Sequence, residues 1–185
     1  MKIAVLVVIV LGALAGLAFL YHHHRKASDS GPVAHVRNEF EFTVQAPYRV
    51  MAPLFGPEGE RAWGGDAWDP HFLYPQPAQD TQGAVFTVKH GHGHQAYWVN
   101  TAFDLDARHV QYVYVVPGVI ATLIDIHFSE IDPTNTKVNV AYERTALNPE
   151  ANEHVHHAGN SDRNSGKEWS DAINSYLATH KATGR

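Results

Sequence analysis

Polar and apolar residues alternate through the middle of the chain in a way that is typical of β-strands. Phe40, Phe42 and Val44 alternate with polar residues, which is the period-two pattern of a strand with one buried face. Strand-like runs then follow one another at 84–90, 96–103, 109–116, 119–129 and 136–147. The short separators between these runs carry turn residues, so neighbouring strands are predicted to pair antiparallel in a meander.

A short helix and a turn-rich loop separate the first strand from the meander. Helical spacing after Pro47 predicts the short helix, on the positions Val50, Met51, Leu54 and Phe55. The following stretch, 56–77, is rich in Gly and Pro but also holds Trp63, Trp68, Phe72 and Tyr74. Because so many aromatic side chains need a surface to pack on, we expect an ordered loop held against the domain.

The C-terminal region changes to a helical period. Its apolar residues form one stripe, made of Trp169, Ile173, Tyr176 and Leu177. The segment 160–162, Asn-Ser-Asp, offers an N-cap, and Gly166 predicts a break or a loose turn in this region. The layout predicts an α+β domain in which a strongly curved antiparallel sheet closes on a long C-terminal helix.

The first residues read as a membrane element. Residues 3–21 form an uncharged apolar run close to the length that crosses a bilayer as a helix. We therefore expect an N-terminal transmembrane helix, with residues 1–24 as anchor, 25–36 as linker and 37–185 as the folded domain. A cleaved signal peptide is the alternative, because Lys2 precedes the run and residues 13–15 resemble a cleavage site. The early start of the run favours a single-pass membrane protein with its domain outside the cytoplasm.

Composition narrows the classes of function. The chain holds 14 Lys and Arg against 19 Asp and Glu, a net charge of −5 that disfavours nucleic-acid binding. It contains no Cys, which excludes disulfides, Cys-ligated zinc and thiol nucleophiles. Motifs for nucleophilic hydrolysis, phosphate binding and dinucleotide binding are absent from the sequence. No cofactor is therefore predicted.

Histidine is unusually frequent, with 14 residues. His90, His92 and His94 alternate with glycines, and in an extended strand they would share one face. The glycines instead predict an exposed hairpin turn that binds divalent metal weakly, so no metal site is expected here. The histidines at 22–24 and at 154, 156 and 157 are interpreted as solvated.

Asp125 and His127 lie two residues apart in a strand-like run. They share the face opposite Ile124 and Ile126, and the apolar face is the buried one. We therefore interpret Asp125 and His127 as a surface pair, with an acid–base pair as the alternative.

Several motifs carry a family resemblance: Ala46 to Val50, the GERxWxxxxWxP pattern at 59–70, the strand at 83–86, the strand end at 142–147 and the helix bearing Trp169. With the order of elements, they make residues 37–180 resemble the START-like, polyketide-cyclase-type superfamily (SRPBCC), and within it a subgroup of uncharacterised members. The resemblance implies a helix-grip fold with a cavity for an apolar small molecule. Because members range from lipid carriers to aromatase/cyclases, the fold alone does not settle function.

Aromatic strand faces suggest which residues would line that cavity. Three sets of residues are each predicted to share one face of a strand: Tyr97, Val99 and Phe103, then Tyr112, Tyr114 and Val116, then Val138, Val140 and Tyr142. The tryptophans at 63 and 68 either close the cavity mouth or pin their loop. The predicted ligand-binding residues are Trp63, Trp68, Tyr97, Tyr112, Tyr114, Ile124, Tyr142, Arg144 and Trp169.

The leading functional hypothesis is non-catalytic binding of an apolar or aromatic small molecule or lipid, close to a membrane reached through residues 3–21. The second hypothesis is a cyclase- or hydratase-like enzyme that uses Tyr142 and Arg144 for proton transfer and charge stabilisation. A third is a structural or interaction module whose core is filled.

Overall fold

A computed structural model describes residues 31–90 and 93–181. The predicted anchor at 3–21 and the first half of the predicted linker, residues 25–30, lie outside these residues. Among the helices that are described, none combines the length and the hydropathy needed to cross a bilayer.

The described chain contains one seven-stranded antiparallel sheet. Its order is β1-β7-β6-β5-β4-β3-β2, so β3 to β7 form the predicted meander and β1 pairs with the last strand. Side chains alternate between a buried and an exposed face, most regularly in β5 and β7. The strands are β1 His35–Val44, β2 His71–Tyr74, β3 Val85–Lys89, β4 Gln95–Asp104, β5 His109–Val116, β6 Ile120–Asp132 and β7 Asn135–Ala146.

Strand β2 corrects the prediction of an irregular loop at 56–77. It pairs with β3 at the edge of the sheet, and Phe72 packs its ring on Phe86 at 5.5 Å between centroids. Only four residues long, the strand gives too short an alternation to stand out among the surrounding Gly and Pro.

The helices are α1 Tyr48–Met51, α2 Pro57–Glu60 and α3 Asn152–Lys181. A 3₁₀ turn, Ala52–Phe55, joins α1 to α2, and a second turn, Pro149–Ala151, leads into α3. The short helix predicted after Pro47 is therefore present. Gly56 ends this first helical segment as expected, but Pro57 at once begins a new helix, because proline is well suited to the first helical position.

Helix α3 is continuous, so the predicted N-cap at 160–162 and the break at Gly166 are both wrong. The glycines serve close packing instead. A Cβ on Gly166 would lie 3.0 Å from the Phe40 ring, and a Cβ on Gly159 would lie 2.7 Å from Cγ1 of Val36. These glycines let α3 approach β1 more closely than side chains would permit.

The core lies between α3 and the inward face of the sheet. Trp169 packs edge-on against Phe40 and Phe42 of β1 and against Tyr142 of β7. Ile173 and Leu177 continue the predicted stripe and are buried. The sheet and the helix thus enclose the region in which the resemblance places a cavity.

Candidate functional site

A cavity of about 150 Å³ lies between the sheet, α3 and the segment that follows β1. Its wall is largely aromatic. The lining residues are Phe55, Glu60, Trp68, Trp98, Tyr112, Ile124, Ile126, Tyr142 and Trp169. The cavity therefore gathers Trp68, Tyr112, Ile124, Tyr142 and Trp169 from the predicted ligand-binding residues. It also contains groups that the sequence did not single out.

Trp63 and Trp68 both fix the segment that carries them. Trp63 packs on Trp169 at 5.4 Å between centroids, and its Nε1 donates to a backbone carbonyl of the preceding 3₁₀ turn at 2.7 Å. Trp68 packs edge-on against Trp98 at 5.3 Å, and its Nε1 donates to the carbonyl of Pro57 at 2.9 Å. Of the two, Trp68 lines the cavity and Trp63 supports the wall from behind.

Glu60 is the acidic group of the cavity wall. It is the last residue of α2 and is half-buried. Burial, followed by the negative charge of Asp80, raises the pKa of Glu60 to about 8. Asp80 is held in place because it accepts hydrogen bonds from the backbone N–H groups of Glu58 at 2.7 Å and Gly59 at 3.1 Å. Glu60 therefore holds its proton at neutral pH.

Strand β4 turns two further polar side chains inward. Trp98 stacks on Tyr114 at 4.4 Å, with its indole ring in the cavity wall. Asn100 is fully buried opposite Tyr112. Trp98 Nε1 and both polar side-chain atoms of Asn100 have no hydrogen-bond partner among the described residues. Buried polar groups normally have partners, so Trp98 Nε1, whose ring lines the cavity, is a candidate for contact with a ligand. Asn100 is not among the residues that line the cavity.

The prediction that Tyr97 and Val99 face the cavity is wrong. Both side chains are on the outer face of β4, and Tyr97 is 46% exposed. A β-bulge between Asn100 and Ala102 is the cause, because one extra residue reverses which face the following positions occupy. Phe103, beyond the bulge, packs against the core as predicted.

Tyrosines of β5 and β7 point inward as predicted. The Tyr112 hydroxyl donates to the carbonyl of Phe55, which ties β5 to the segment before α2. Burial raises the pKa of Tyr112 well above its usual value, and the nearby Glu60 carboxyl adds to the effect. Burial likewise raises the pKa of Tyr142. Both hydroxyls therefore stay protonated.

Arg144 forms a buried ion pair with Asp162 of α3. The guanidinium donates from Nε at 3.0 Å and from Nη2 at 2.5 Å to the two carboxylate oxygens. Its Nη1 donates to the Tyr114 hydroxyl at 2.8 Å, and its Cζ lies 4.3 Å from the centre of the Tyr142 ring. Although burial favours the neutral form, these partners raise the pKa of Arg144. Arg144 joins the sheet to the helix and is absent from the cavity wall.

The outer face of the sheet holds a second polar cluster. Asp125 and His127 lie there as predicted, with Asp125 Oδ2 3.1 Å from His127 Nε2. A residue that the sequence did not single out, His109, completes the cluster, its Nε2 2.6 Å from Asp125 Oδ1. Burial opposes ionisation of Asp125, but hydrogen bonds from His109, Gln111 and His127 outweigh it and lower the pKa.

The His-Gly repeat lies in a turn, as predicted. Strand β3 ends at Lys89, β4 begins at Gln95, and the backbone N–H of His90 donates to the carbonyl of His94 at 2.8 Å. Gly93 has a φ of +78°, a conformation that glycine adopts readily. His92 lies outside the described residues, so the prediction of weak metal binding stays a prediction.

The comparisons give the fold a context. No family model and no curated protein matches the sequence. Among solved structures, norcoclaurine synthase from Thalictrum flavum in complex with dopamine and hydroxybenzaldehyde is similar with a TM-score of 0.60 and 12% identity, covering 80% of this chain and 89% of the other. An uncharacterized protein from Rhizobium leguminosarum is similar with a TM-score of 0.54 and 22% identity, covering 80% of this chain and 97% of the other.

A Staphylococcus aureus protein of unknown function is similar as well, with a TM-score of 0.59 and 12% identity over 81% of this chain and 98% of the other. Likeness at such identities concerns the fold. The helix-grip fold expected from the resemblance to the START-like superfamily is confirmed.

Proposed function

We propose that the domain binds a small, neutral aromatic molecule that carries a hydrogen-bond acceptor. The observation that carries this proposal is the pairing of an aromatic-walled cavity with two polar groups able to donate, Glu60 and Trp98. An apolar cavity of about 150 Å³ is known to accept benzene. The volume of the present cavity, also about 150 Å³, therefore favours a single ring over a lipid chain.

The polar groups define the chemistry of that ligand. With a pKa of about 8, the Glu60 carboxyl is largely protonated at pH 7 and can donate its O–H. The indole Nε1 of Trp98 can only donate. An uncharged acceptor such as a carbonyl oxygen or a nitrile nitrogen satisfies these donors without burying a charge. The ring of the ligand would pack on the aromatic wall.

The fold comparison supports this ligand class. The norcoclaurine synthase structure holds dopamine and hydroxybenzaldehyde, and each of these is a single-ring aromatic molecule. We extend to this chain only the ligand class, because the identity is 12%.

Membrane attachment is a separate part of the proposal. The apolar run at 3–21 is long enough to span a bilayer, and we propose that it tethers the domain. A tethered binding domain would act on molecules at or near the membrane surface, with the domain outside the cytoplasm.

Calorimetric titration of the full chain with benzonitrile and toluene tests the binding proposal. Both probes are neutral at every pH, and only benzonitrile accepts a hydrogen bond. We expect benzonitrile to bind about tenfold more weakly at pH 9 than at pH 6, relative to toluene, because Glu60 loses the proton it donates. In Glu60→Gln the amide still donates and does not titrate, so this pH dependence should vanish.

Two further variants serve as a cavity-filling test and as a control. Ile126→Phe fills the cavity and should abolish binding of both probes, whereas Tyr97→Phe on the outer face should change nothing. Native mass spectrometry of protein from its own host adds the identity of any co-purifying molecule. Binding that survives cavity filling, or a bound lipid of one or two acyl chains, would contradict the proposal.

A proton-transfer enzyme is the second candidate function. It is favoured by the pKa of Glu60, since a group with a pKa of about 8 can take up and release protons near neutral pH. Glu60 takes the place of Tyr142 and Arg144, which the sequence suggested for proton transfer and charge stabilisation. Arg144 is committed to Asp162, and burial keeps the Tyr142 hydroxyl protonated.

Deuterium incorporation into the methyl group of acetophenone in D₂O tests this activity. The Glu60 carboxylate would take a proton from the methyl carbon while the carbonyl becomes an enolate. That proton would exchange with D₂O, and the resulting Glu60 deuteron would return to the carbon. We expect the rate to rise with pH and to level off above about pH 8, and Glu60→Gln to remove the protein-dependent part. Exchange no faster than in buffer would exclude this candidate for such ketones.

A further inference from the structure

The polar cluster on the outer face of the sheet is built from two neighbouring strands. His109 of β5 lies directly opposite His127 of β6, and Asp125 is two residues before His127 on the same face. The two imidazole rings stack with centroids 4.6 Å apart and an interplanar angle of 5°. Two rings and one carboxylate are thereby brought together without help from any loop.

The three side chains present a set of metal-ligand atoms. The two Nε2 atoms lie 2.6 Å and 3.1 Å from different oxygens of Asp125, and one ligand atom from each residue lies within 4.8 Å of the others. Two imidazole nitrogens and one carboxylate oxygen suit Zn²⁺ and its neighbours Co²⁺, Ni²⁺ and Cu²⁺. We propose that His109, Asp125 and His127 bind one divalent transition-metal ion.

A supporting hydrogen-bond chain orients the carboxylate. Gln111 Nε2 donates to Asp125 Oδ1 at 3.0 Å, and Gln111 Oε1 accepts from the Thr101 hydroxyl at 2.9 Å. Metal-binding carboxylates and imidazoles are commonly held by such outer partners, and losing a partner weakens metal affinity. The orientation of Asp125 therefore exists before any ion arrives.

The site is open on one side. Side-chain exposures of 27% for His109, 30% for Asp125 and 57% for His127 leave the ligand atoms within reach of an ion from solvent. Asp125 and His127 also line a groove of about 410 Å³ that extends over Asn139 and β1. Three protein ligands leave at least one coordination position, which a water or a small anion in this groove can take.

Charge in the groove does not oppose the ion. Glu39 and Glu41 line it, and both are paired with cations, with Arg37 at 2.6 Å and with Lys137 at 3.3 Å. The negative charges of the two glutamates are thus offset by the paired cations. Asp125 is the carboxylate that faces the two imidazoles. The site lies on the opposite face of the sheet from the aromatic cavity, and this inference does not rest on the proposed ligand.

Zn²⁺ titration of the full chain by calorimetry tests the site. We expect Asp125→Asn and His127→Ala each to lose one tight equivalent of Zn²⁺ that the parent binds. Gln111→Leu should keep that equivalent but bind it about 10- to 100-fold more weakly. The control His156→Ala removes an exposed histidine of α3 and should bind as the parent does.

Other histidines of the chain supply the contrary outcomes. If the tight equivalent persists in Asp125→Asn and His127→Ala, or is lost in His92→Ala instead, the ion lies elsewhere and the proposal is wrong. Co²⁺ provides a second readout, because a four-coordinate ion absorbs visible light strongly, and that absorption should be missing from Asp125→Asn. Circular dichroism of each variant shows that the sheet is intact.

Discussion

Glu60 makes the stability of the domain depend on pH. Its pKa is raised from 4.5 to about 8, so the folded chain keeps a proton that the unfolded chain releases. Folding stability therefore falls as pH rises between these two values. After allowance for partial screening by solvent, the loss is on the order of 2 kcal/mol.

The variant Glu60→Gln removes this titration. We expect its free energy of unfolding to match that of the parent below pH 4.5, to exceed it increasingly as pH rises to about 8, and to exceed it by a constant amount above that. Urea unfolding at several pH values measures the difference between the two proteins, so titration of the histidines cancels. A difference that does not change with pH would show that Glu60 is solvated in the folded protein.

Asp162 is the residue whose loss we expect to be most damaging. Its carboxylate is 3% exposed and pairs with Arg144 through two hydrogen bonds. Asp162→Ala would leave a buried guanidinium unpaired, and we expect a loss of about 3–5 kcal/mol in urea unfolding. Replacing both members of the pair, with Arg144→Met and Asp162→Leu, should recover much of this loss.

The exposed pair of Lys137 and Glu41 provides the control. Because water screens exposed charges, Lys137→Ala should change the free energy of unfolding little. Equal losses in Asp162→Ala and Lys137→Ala would mean that the buried pair has no special role in joining α3 to the sheet.

At individual residues, the sequence predicts inward positions only while the strand stays regular. Tyr112, Tyr114 and Tyr142 are inward as alternation predicts, but the bulge after Asn100 puts Tyr97 and Phe103 on opposite faces of β4, with Tyr97 outside. The position of Asp162 in the sequence indicates its burial. It lies seven residues before Trp169 on the apolar stripe of α3, and a charge on such a stripe indicates a buried partner.

At the scale of the elements, the close contact of α3 with β1 depends on glycines, which have no side chain. Gly159 faces Val36, and an added Cβ would lie 2.7 Å from it. Alanine favours the helix by about 1 kcal/mol, but overpacking costs about 1–3 kcal/mol. We therefore expect Gly159→Ala to lower the free energy of unfolding by about 1 kcal/mol, measured in urea.

An exposed position on the same helix separates packing from helix propensity. Asn164 faces solvent, so Asn164→Ala should raise the free energy of unfolding by about 0.5 kcal/mol. If Gly159→Ala stabilised the protein as well, α3 would not be held against β1 at the distance described.

Element boundaries followed from sequence wherever one pattern ran long enough. The strands β5 and β7 were predicted to within one residue at each end, and β6 at its start, since eight or more alternating positions mark each of them. Strand β6 continues three residues beyond its predicted end, to Asp132. The start of α3 was not predicted, because its first turns carry exposed histidines and a glycine, Gly159, that packs against β1. Close helix–strand packing selects small residues, and these resemble breaks in a sequence.

For the whole molecule, the membrane tether is a prediction that fractionation can test. We expect the full-length, unprocessed chain to stay with membranes after an alkaline wash, because residues 3–21 form an uninterrupted apolar run. A variant beginning after residue 24 should be recovered in the supernatant. Intact mass separates the anchor from a signal peptide, and full recovery of the unprocessed parent in the supernatant would contradict the tether.

The fold of the whole molecule was largely predictable because most elements are marked locally, but the polar groups of the cavity, Glu60 and Trp98, were not. The cavity brings together Glu60, Trp98 and Trp169, which are separated by long stretches of chain. The local sequence around Glu60 does not predict that α2 ends against an aromatic wall. The outer cluster is similar, because His109 joins Asp125 only through strand pairing.

The placement of the tryptophans has an optical consequence. All four tryptophans of the chain stand around the cavity in two close pairs, Trp63 with Trp169 and Trp68 with Trp98. Excitation energy passes readily between indoles at such separations, so the ultraviolet emission of the protein reports on this one region. A molecule entering the cavity should shift that emission, whereas Zn²⁺ at the outer face should leave it unchanged. Tryptophan emission therefore reports occupancy of the cavity whether or not Zn²⁺ is bound at the outer face.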